Sequence, residues 1–353
     1  MLAACFDLLL TFKYYEIISN SNWIYCPPRN LAVYPVLNCC PFCALSGRFI
    51  YHEGNKPESG FIGPAAAQTL RDLFADYFHA KGFRDVMVAQ GKEPIDVLIA
   101  DVPKKKVFLA EIKAAPLYTS PLVVAVQRKE FLDDNPGYGG HPVGRFARPG
   151  ALDASILLPK SRGHLSLWKL PPGRLGDKEW LRRSLCLLLE DDKAFIDFLD
   201  CWINLWKLYL CRDKTDSAYW LTSACGRPTG VSTGDWPFSP DGKAKGSISD
   251  NKTSVGMDRT DDIKKSTFQV LNLGVSFRRL KTQGWSISIG LVSNLHAGRH
   301  HEEYLQPYED LVWGWGNSVS DAPVTWFNLF DGIVSFSASH TRNEWIRSLM
   351  EWS

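Results

Sequence analysis

The 353-residue chain predicts a mixed α/β fold, on three observations. A helix-period stretch, "GPAAAQTLRDLFADYFHAKGF", runs from Pro64 to about residue 81 and closes at Gly82. Three strand-like runs follow it directly: "RDVMVA", "PIDVLIAD" and "KVFLAEIKA". Further on, two helical stretches at 177–190 and 192–211 give way to a late strand, "WSISIGLVS". With 45% hydrophobic and 22% charged residues the chain can bury a core, which excludes wholesale disorder. A net charge of +2 neither demands nor forbids a polyanionic partner, so any basic surface must be local.

Residues 1–25 are apolar enough for a buried helix or strand. Asp7 interrupts the run and no basic segment precedes it, which argues against a secretory signal. Residues 26–53 form a Cys/Pro-rich knot. In the helix at 64–81, Ala66, Leu70, Leu73, Phe74, Tyr77 and Phe78 share one face, and Asp72 and Asp76 lie on the solvated one. After the three strands comes a β-branched run, "PLVVAV", at 121, then a loop-rich region over 127–163 with turn clusters such as "DDNPGYGGHP". "FIDFLDCWINLWKLYLC" carries Asp197, Asp200, Asn204 and Lys207 at helical spacing, one polar stripe on an amphipathic helix. No stretch reaches the ~18 apolar residues of a membrane span, and a cytoplasmic, prokaryotic location is the expectation. Residues 223–262, dense in Gly, Ser, Pro and Lys, read as a long loop or linker. The last ninety or so residues return to structure and end in a Trp-rich segment whose "VWGWG" at 312 suits core packing.

The chemistry concentrates in the second and third strands. Alternate strand residues share a face, so Glu111 and Lys113 point together, away from Phe108, Ala110 and Ile112. An even-membered turn centred between Pro103 and Lys104 makes antiparallel partners sum to 207. Asp96 then stands opposite Glu111, where side chains approach within about 5 Å. Two adjacent carboxylates repel, and a divalent cation relieves the repulsion. Lys113 beside them is placed to orient a water or offset charge on a phosphate.

These residues carry a resemblance. Pro94-Ile95-Asp96 followed by Glu111-Ile112-Lys113 resembles the P-D…(D/E)-x-K signature of the PD-(D/E)XK nuclease superfamily, over about residues 63–126. The preceding helix and strands look like its α-β-β-β-α core with a mixed sheet. The resemblance implies a restriction-endonuclease-like core spanning 63–222 with a helical insertion. A Cys/His segment (1–62) would precede it; a loop (223–262) and a C-terminal α/β extension (263–353) aiding DNA recognition would follow. It also implies a type II restriction endonuclease hydrolysing double-stranded DNA with Mg²⁺ to leave 5′-phosphate ends. Asp96 and Glu111 would hold the metal and Lys113 would assist catalysis. A homodimer acting on a symmetric site, with a methyltransferase encoded nearby, belongs to the same expectation. Helix 64–81 has no acid on its apolar face to match the extra carboxylate of some members, leaving a one- or two-metal mechanism open. Two rival readings are a repair, recombination or CRISPR-associated nuclease of the same superfamily, and a zinc-stabilised DNA-binding protein without catalysis.

Nine cysteines is an odd count, and Cys186, Cys201, Cys211 and Cys225 are scattered as small hydrophobes are, so a disulfide framework is a poor reading. The N-terminal cluster differs. "CPFC" is a metal-knuckle spacing. Cys26, Cys40, Cys43 and His52 compose a structural zinc site of three thiolates and one imidazole, with Cys39 as rival ligand. Candidate DNA contacts are Lys252, Arg259, Lys264 and Lys265 in the basic loop and Arg299 and His300 in "NLHAGRHHEEY". That segment spaces His296 and His300 by four, but Ala297 stands where a zinc-protease glutamate would, so a surface or DNA-facing loop is expected. No G-x-x-x-x-G-K-[ST] string occurs, against an ATP-driven motor.

Overall fold

The computed structural model describes residues 1–34, 36–37, 39–50, 59–148, 150–159, 165–222, 255–258, 260–278, 284–315, 324–336 and 343–350. Two compact units interleave along the chain. One comprises residues 3–61 and 116–254, the other 62–115 and 255–353.

The first unit is built on a seven-stranded antiparallel sheet. Its strands are β1 (Trp23–Cys26), β2 (Leu31–Val33), β6 (Leu122–Ala125), β7 (Phe131–Tyr138), β8 (His141–Phe146), β9 (Ala154–Pro159) and β10 (Leu165–Lys169), in the order β10-β9-β6-β2-β1-β8-β7. Helices α1 (Leu2–Tyr15), α2 (Pro41–Leu45), α4 (Lys178–Glu190) and α5 (Asp192–Cys211) belong to it. The Asp177 carboxylate caps α4 and Asp191 caps α5, satisfying N–H groups that a helix start leaves open. The N-terminal run is thus helical, and Asp7 explains its own interruption. Fully buried, its Oδ2 accepts from the N–H groups of Leu117 and Tyr118 at 3.0 and 2.9 Å and from the Trp202 indole at 2.6 Å. Burial holds its carboxyl well above the usual range.

The second unit carries a five-stranded mixed sheet. β3 (Val86–Ala89), β4 (Val97–Asp101), β5 (Lys106–Ile112), β11 (Ser286–Ser293) and β14 (Gly332–Ser335) lie in the order β14-β11-β5-β4-β3. The first three are antiparallel, whereas β11 runs parallel to β5 and β14 parallel to β11. A parallel neighbour needs a crossover, and α6 (Thr260–Phe277) lies in it, packing Ile263, Val270 and Leu273 against Leu109, Ile289 and Leu291. α3 (Ser59–Ala80) contributes Leu70, Phe74 and Phe78, with Phe74 on Phe336 at 4.8 Å between ring centres, while Asp72 and Asp76 are exposed. The strands pack closely at Gly290, where a Cβ would meet the Gly332 carbonyl oxygen at 1.8 Å. A hairpin of β12 (Val312–Trp315) and β13 (Thr325–Asn328), α7 (Gln306–Glu309) and α8 (Glu344–Met350) complete the unit.

Several expectations change. "PLVVAV" is a strand, but it joins the first unit's sheet between β2 and β9 and not the sheet of the carboxylates. The chain leaves the second unit at Ala115, and Asp7 captures the N–H groups immediately after Pro116. The expected 63–222 core therefore divides: α4 and α5 belong with the N-terminal region, and the C-terminal segment supplies two strands of the second unit's own sheet. Residues 1–62 are not a separate module either, since β1 and β2 sit inside the seven-stranded sheet. The region 127–163 holds three strands, its turn-forming residues being absorbed by the irregular edge strand β7, where a proline is tolerated. Of "VWGWG", residues 312–315 form β12, with Val312 half exposed and Trp313 packed on the core. Among the described residues, no helix is long and apolar enough to cross a membrane, and the described cysteines are all free thiols.

Candidate functional site

The hairpin register is the one the turn predicts. Val97 pairs with Ala110, Leu98 with Leu109 and Asp101 with Lys106. One step further, Asp96 faces Glu111 across the end of the strands. The Asp96 N–H donates to the Ala110 carbonyl at 3.2 Å. Its side chain takes over from the backbone as ladder acceptor: Oδ2 receives the Ile112 N–H at 3.0 Å. The Asp96 carbonyl instead accepts from the Arg71 guanidinium of α3 at 3.1 Å. The carboxylate is thereby pinned at the sheet end, within hydrogen-bonding reach of Glu111.

Glu111 is 3% exposed, and Lys113 Nζ lies 2.5 Å from its Oε1. Lys113 also donates to Gln269 Oε1 of α6 at 3.3 Å, and its N–H bonds the Val292 carbonyl of β11 at 3.0 Å. Burial raises the Glu111 carboxyl to about 7, with Asp96 adding to the rise and the Lys113 ammonium opposing it. Asp96, Glu111 and Lys113 thus converge as the sequence predicts. Arg71 and Gln269 were missed: Gln269 lies in an unremarkable amphipathic helix 156 residues from Lys113, so only the crossover brings it near. The donor set, two carboxylates with a lysine alongside, fits a hard divalent cation.

A second cluster lies in the first unit. Cys26 ends β1, Cys40 caps α2, Cys43 lies on α2, and His141 opens β8; all four are buried, with ligand atoms within 4.8 Å of one another. β1 and β8 pair Trp23 with Gly144 and Ile24 with Val143, and this register carries Cys26 opposite His141. Cys43 Sγ is 3.2 Å from His141 Nε2, while His141 Nδ1 lies 3.3 Å from the Gly139 carbonyl. An imidazole held by a carbonyl on one nitrogen and facing thiols on the other is oriented as zinc-bound histidines are. Hydrogen bonds from Cys26 and Cys40 hold the Cys43 thiol far below its ordinary value and thiolate in character. Burial would lower His141, but its bonds to Cys26 and Cys43 outweigh this and raise it to about 9. The cluster can hold a metal ion such as zinc.

The fourth member of the cluster among the described residues is His141; His52 lies outside them. Cys39 is no ligand: it packs with Ala44, Phe49, Tyr219 and Trp220, its thiol 3.9 Å from the Trp220 carbonyl and pushed up to about 12 by burial. His141 stands in "YGGHPV", read as a turn. A histidine beside a Gly-Gly turn was the available signal, competing with His52 and Cys39 as the partner of the three clustered thiols.

The expected DNA contacts divide. Lys252 and Arg259 lie outside the described residues. Lys264 and Lys265 are exposed on α6, with the Lys264 ammonium 5.5 Å from the Tyr304 ring centre. Arg299 and His300 are both fastened to Asp258. The Arg299 side chain is 4% exposed, its Nε bonded to the buried Asp258 Oδ2 at 2.8 Å, and both residues donate backbone N–H groups to Asp258 Oδ1 at 2.8 and 3.0 Å. No protein-family model, curated protein or solved structure matches the chain.

Proposed function

We propose that the protein is a Mg²⁺-dependent DNA endonuclease of the PD-(D/E)XK type, acting as a type II restriction enzyme. The observation that carries this reading is the convergence of Asp96, a buried Glu111 and Lys113 at one end of a mixed sheet. The order helix, three antiparallel strands, helix, parallel strand in the same unit supports it.

Asp96 and Glu111 would hold the cation, and a bound Mg²⁺ supplies a more acidic water and neutralises charge on the phosphate. Lys113, whose ammonium lies against Glu111, would be placed to orient a water or offset charge on a phosphate. Gln269, bonded to the same ammonium, would help hold it at the end of the strands. Arg71 fixes the backbone from which Asp96 projects. Lys264 and Lys265 are the described cations of the original set that remain available for phosphates. Zinc at Cys26, Cys40, Cys43 and His141 has a structural role, since four protein ligands leave no position for substrate. Double-stranded DNA, a homodimeric state and a methyltransferase encoded nearby complete the proposal.

The test is incubation of purified protein with phage DNA in Mg²⁺ or EDTA, beside Asp96→Ala and Lys113→Ala. Discrete fragments that need Mg²⁺ and vanish in both variants are expected. A smear would redirect the assignment to a repair-type nuclease, and intact DNA despite tight binding would leave the hairpin structural.

A further inference from the structure

A second constellation of metal-ligating side chains occupies the unit that holds the paired carboxylates. His296 sits on the loop leaving β11, His301 opens a single π-helical turn (His301–Leu305), and Glu309 ends α7. His296 is 2% exposed, while His301 and Glu309 are half-buried. His296 Nε2 and His301 Nδ1 are 2.9 Å apart, and Glu309 Oε1 lies 3.8 Å from the same His301 nitrogen. All three donor atoms fall within 4.8 Å of one another.

Two ring nitrogens facing each other at this distance share one proton at most. The carboxylate aimed at the same point is too far for a hydrogen bond, yet concentrates negative potential there. A cation at the common point satisfies all three donors. With metal–nitrogen bonds of about 2.0–2.1 Å, donors sit about 2.9 Å apart at a right angle and about 3.4 Å apart at the tetrahedral angle, matching the shorter separation. Two imidazoles and one carboxylate select a zinc-class transition ion over Mg²⁺ or Ca²⁺, which take all-oxygen sets.

The surrounding backbone holds the donors in place. Between the two histidines, Arg299 and His300 are fastened to the buried Asp258, and the Met257 N–H bonds the Leu295 carbonyl at 3.1 Å. Short π-helical turns are rare and concentrate at functional sites. Asn294, two residues before His296, clamps both backbone groups of Ala115 at 3.1 and 2.9 Å, beyond Lys113 on the strand that carries Glu111.

We propose that His296 Nε2, His301 Nδ1 and a Glu309 carboxylate oxygen bind a zinc-class transition-metal ion, tying the loop after β11 to α7 and leaving at least one coordination position to water. This inference does not depend on nuclease activity. Metal-free full-length protein would be titrated with Co²⁺ and with Zn²⁺, and bound metal counted after gel filtration, for the wild type, His301→Ala and Glu309→Gln. Each variant should bind one equivalent fewer than the wild type, or bind it roughly tenfold more weakly or worse. The Co²⁺ absorption lost should lack thiolate charge transfer, whereas Cys43→Ser should lose only the thiolate bands. Glu309→Gln conserves shape, and an unchanged circular dichroism spectrum separates ligand loss from unfolding. Equal stoichiometry and affinity in the wild type and both variants would overturn the site and leave a hydrogen-bonded histidine pair.

Discussion

Glu111 and Arg299 are both charged, both buried, and serve opposite ends. The Glu111 carboxyl, raised to about 7 by burial with Asp96 adding to the rise, holds a proton in the native state that the unfolded chain releases near its ordinary value of about 4.3. The native state therefore binds more protons between those values, and stability must fall as pH rises through the window. Urea unfolding in Mg²⁺-free buffer from pH 4.5 to 8 should show this slope, and Glu111→Gln should flatten it; an unchanged slope would deny the burial its effect. Arg299 neutralises Asp258 where neither meets water. Arg299→Ala should cost about 3 kcal/mol in denaturant unfolding, because the partner is left as an uncompensated buried charge. Under the proposed nuclease reading, the salt dependence of DNA binding should stay the same in Arg299→Ala, whereas exposed Lys265→Ala should reduce it with little loss of stability. The sequence places Arg299 in a basic-looking run, but nothing near it in the chain announces Asp258, forty-one residues earlier.

At the scale of elements, local chemistry was legible and distant pairing was not. The 94–113 hairpin could be registered residue by residue because a short even turn sets the partner sum, and strand alternation assigns each side chain a face. Cys26, Cys40 and Cys43 were legible from knuckle spacing. Their fourth member was not, because β8 reaches β1 only through the sheet order, and His141 is 98 residues from Cys43. This gives a direct contrast: His141→Ala should release zinc to a chelator far more readily than the wild type, and His52→Ala should retain it. Zinc content by mass spectrometry after dialysis against chelator decides between them. The same limit hid β11. Its run of alternating residues reads as a strand, but its parallel partner β5 is fixed by a crossover that no local pattern encodes.

The whole molecule is two folded units that alternate along the sequence, each made of two separated stretches of chain. The family resemblance implied a linear succession of modules, since each stretch has plausible elements of its own. Neither stretch of the second unit is self-sufficient: residues 62–115 supply only three strands, and Leu109 packs among residues from 257 onward. A chain truncated after residue 254 should therefore keep 116–222 resistant to limited proteolysis while 62–115 is cleaved, which mass spectrometry of the fragments would read directly.

That alternation along the sequence also sets a clock on synthesis. Asp96, Glu111 and Lys113 are translated in the first third of the chain, but Gln269 and the Val292 carbonyl that seats Lys113 arrive only in the last. A ribosome-bound chain carries these three side chains for most of its elongation without the frame that aligns them. The three side chains thus meet their full frame only when the product is nearly finished.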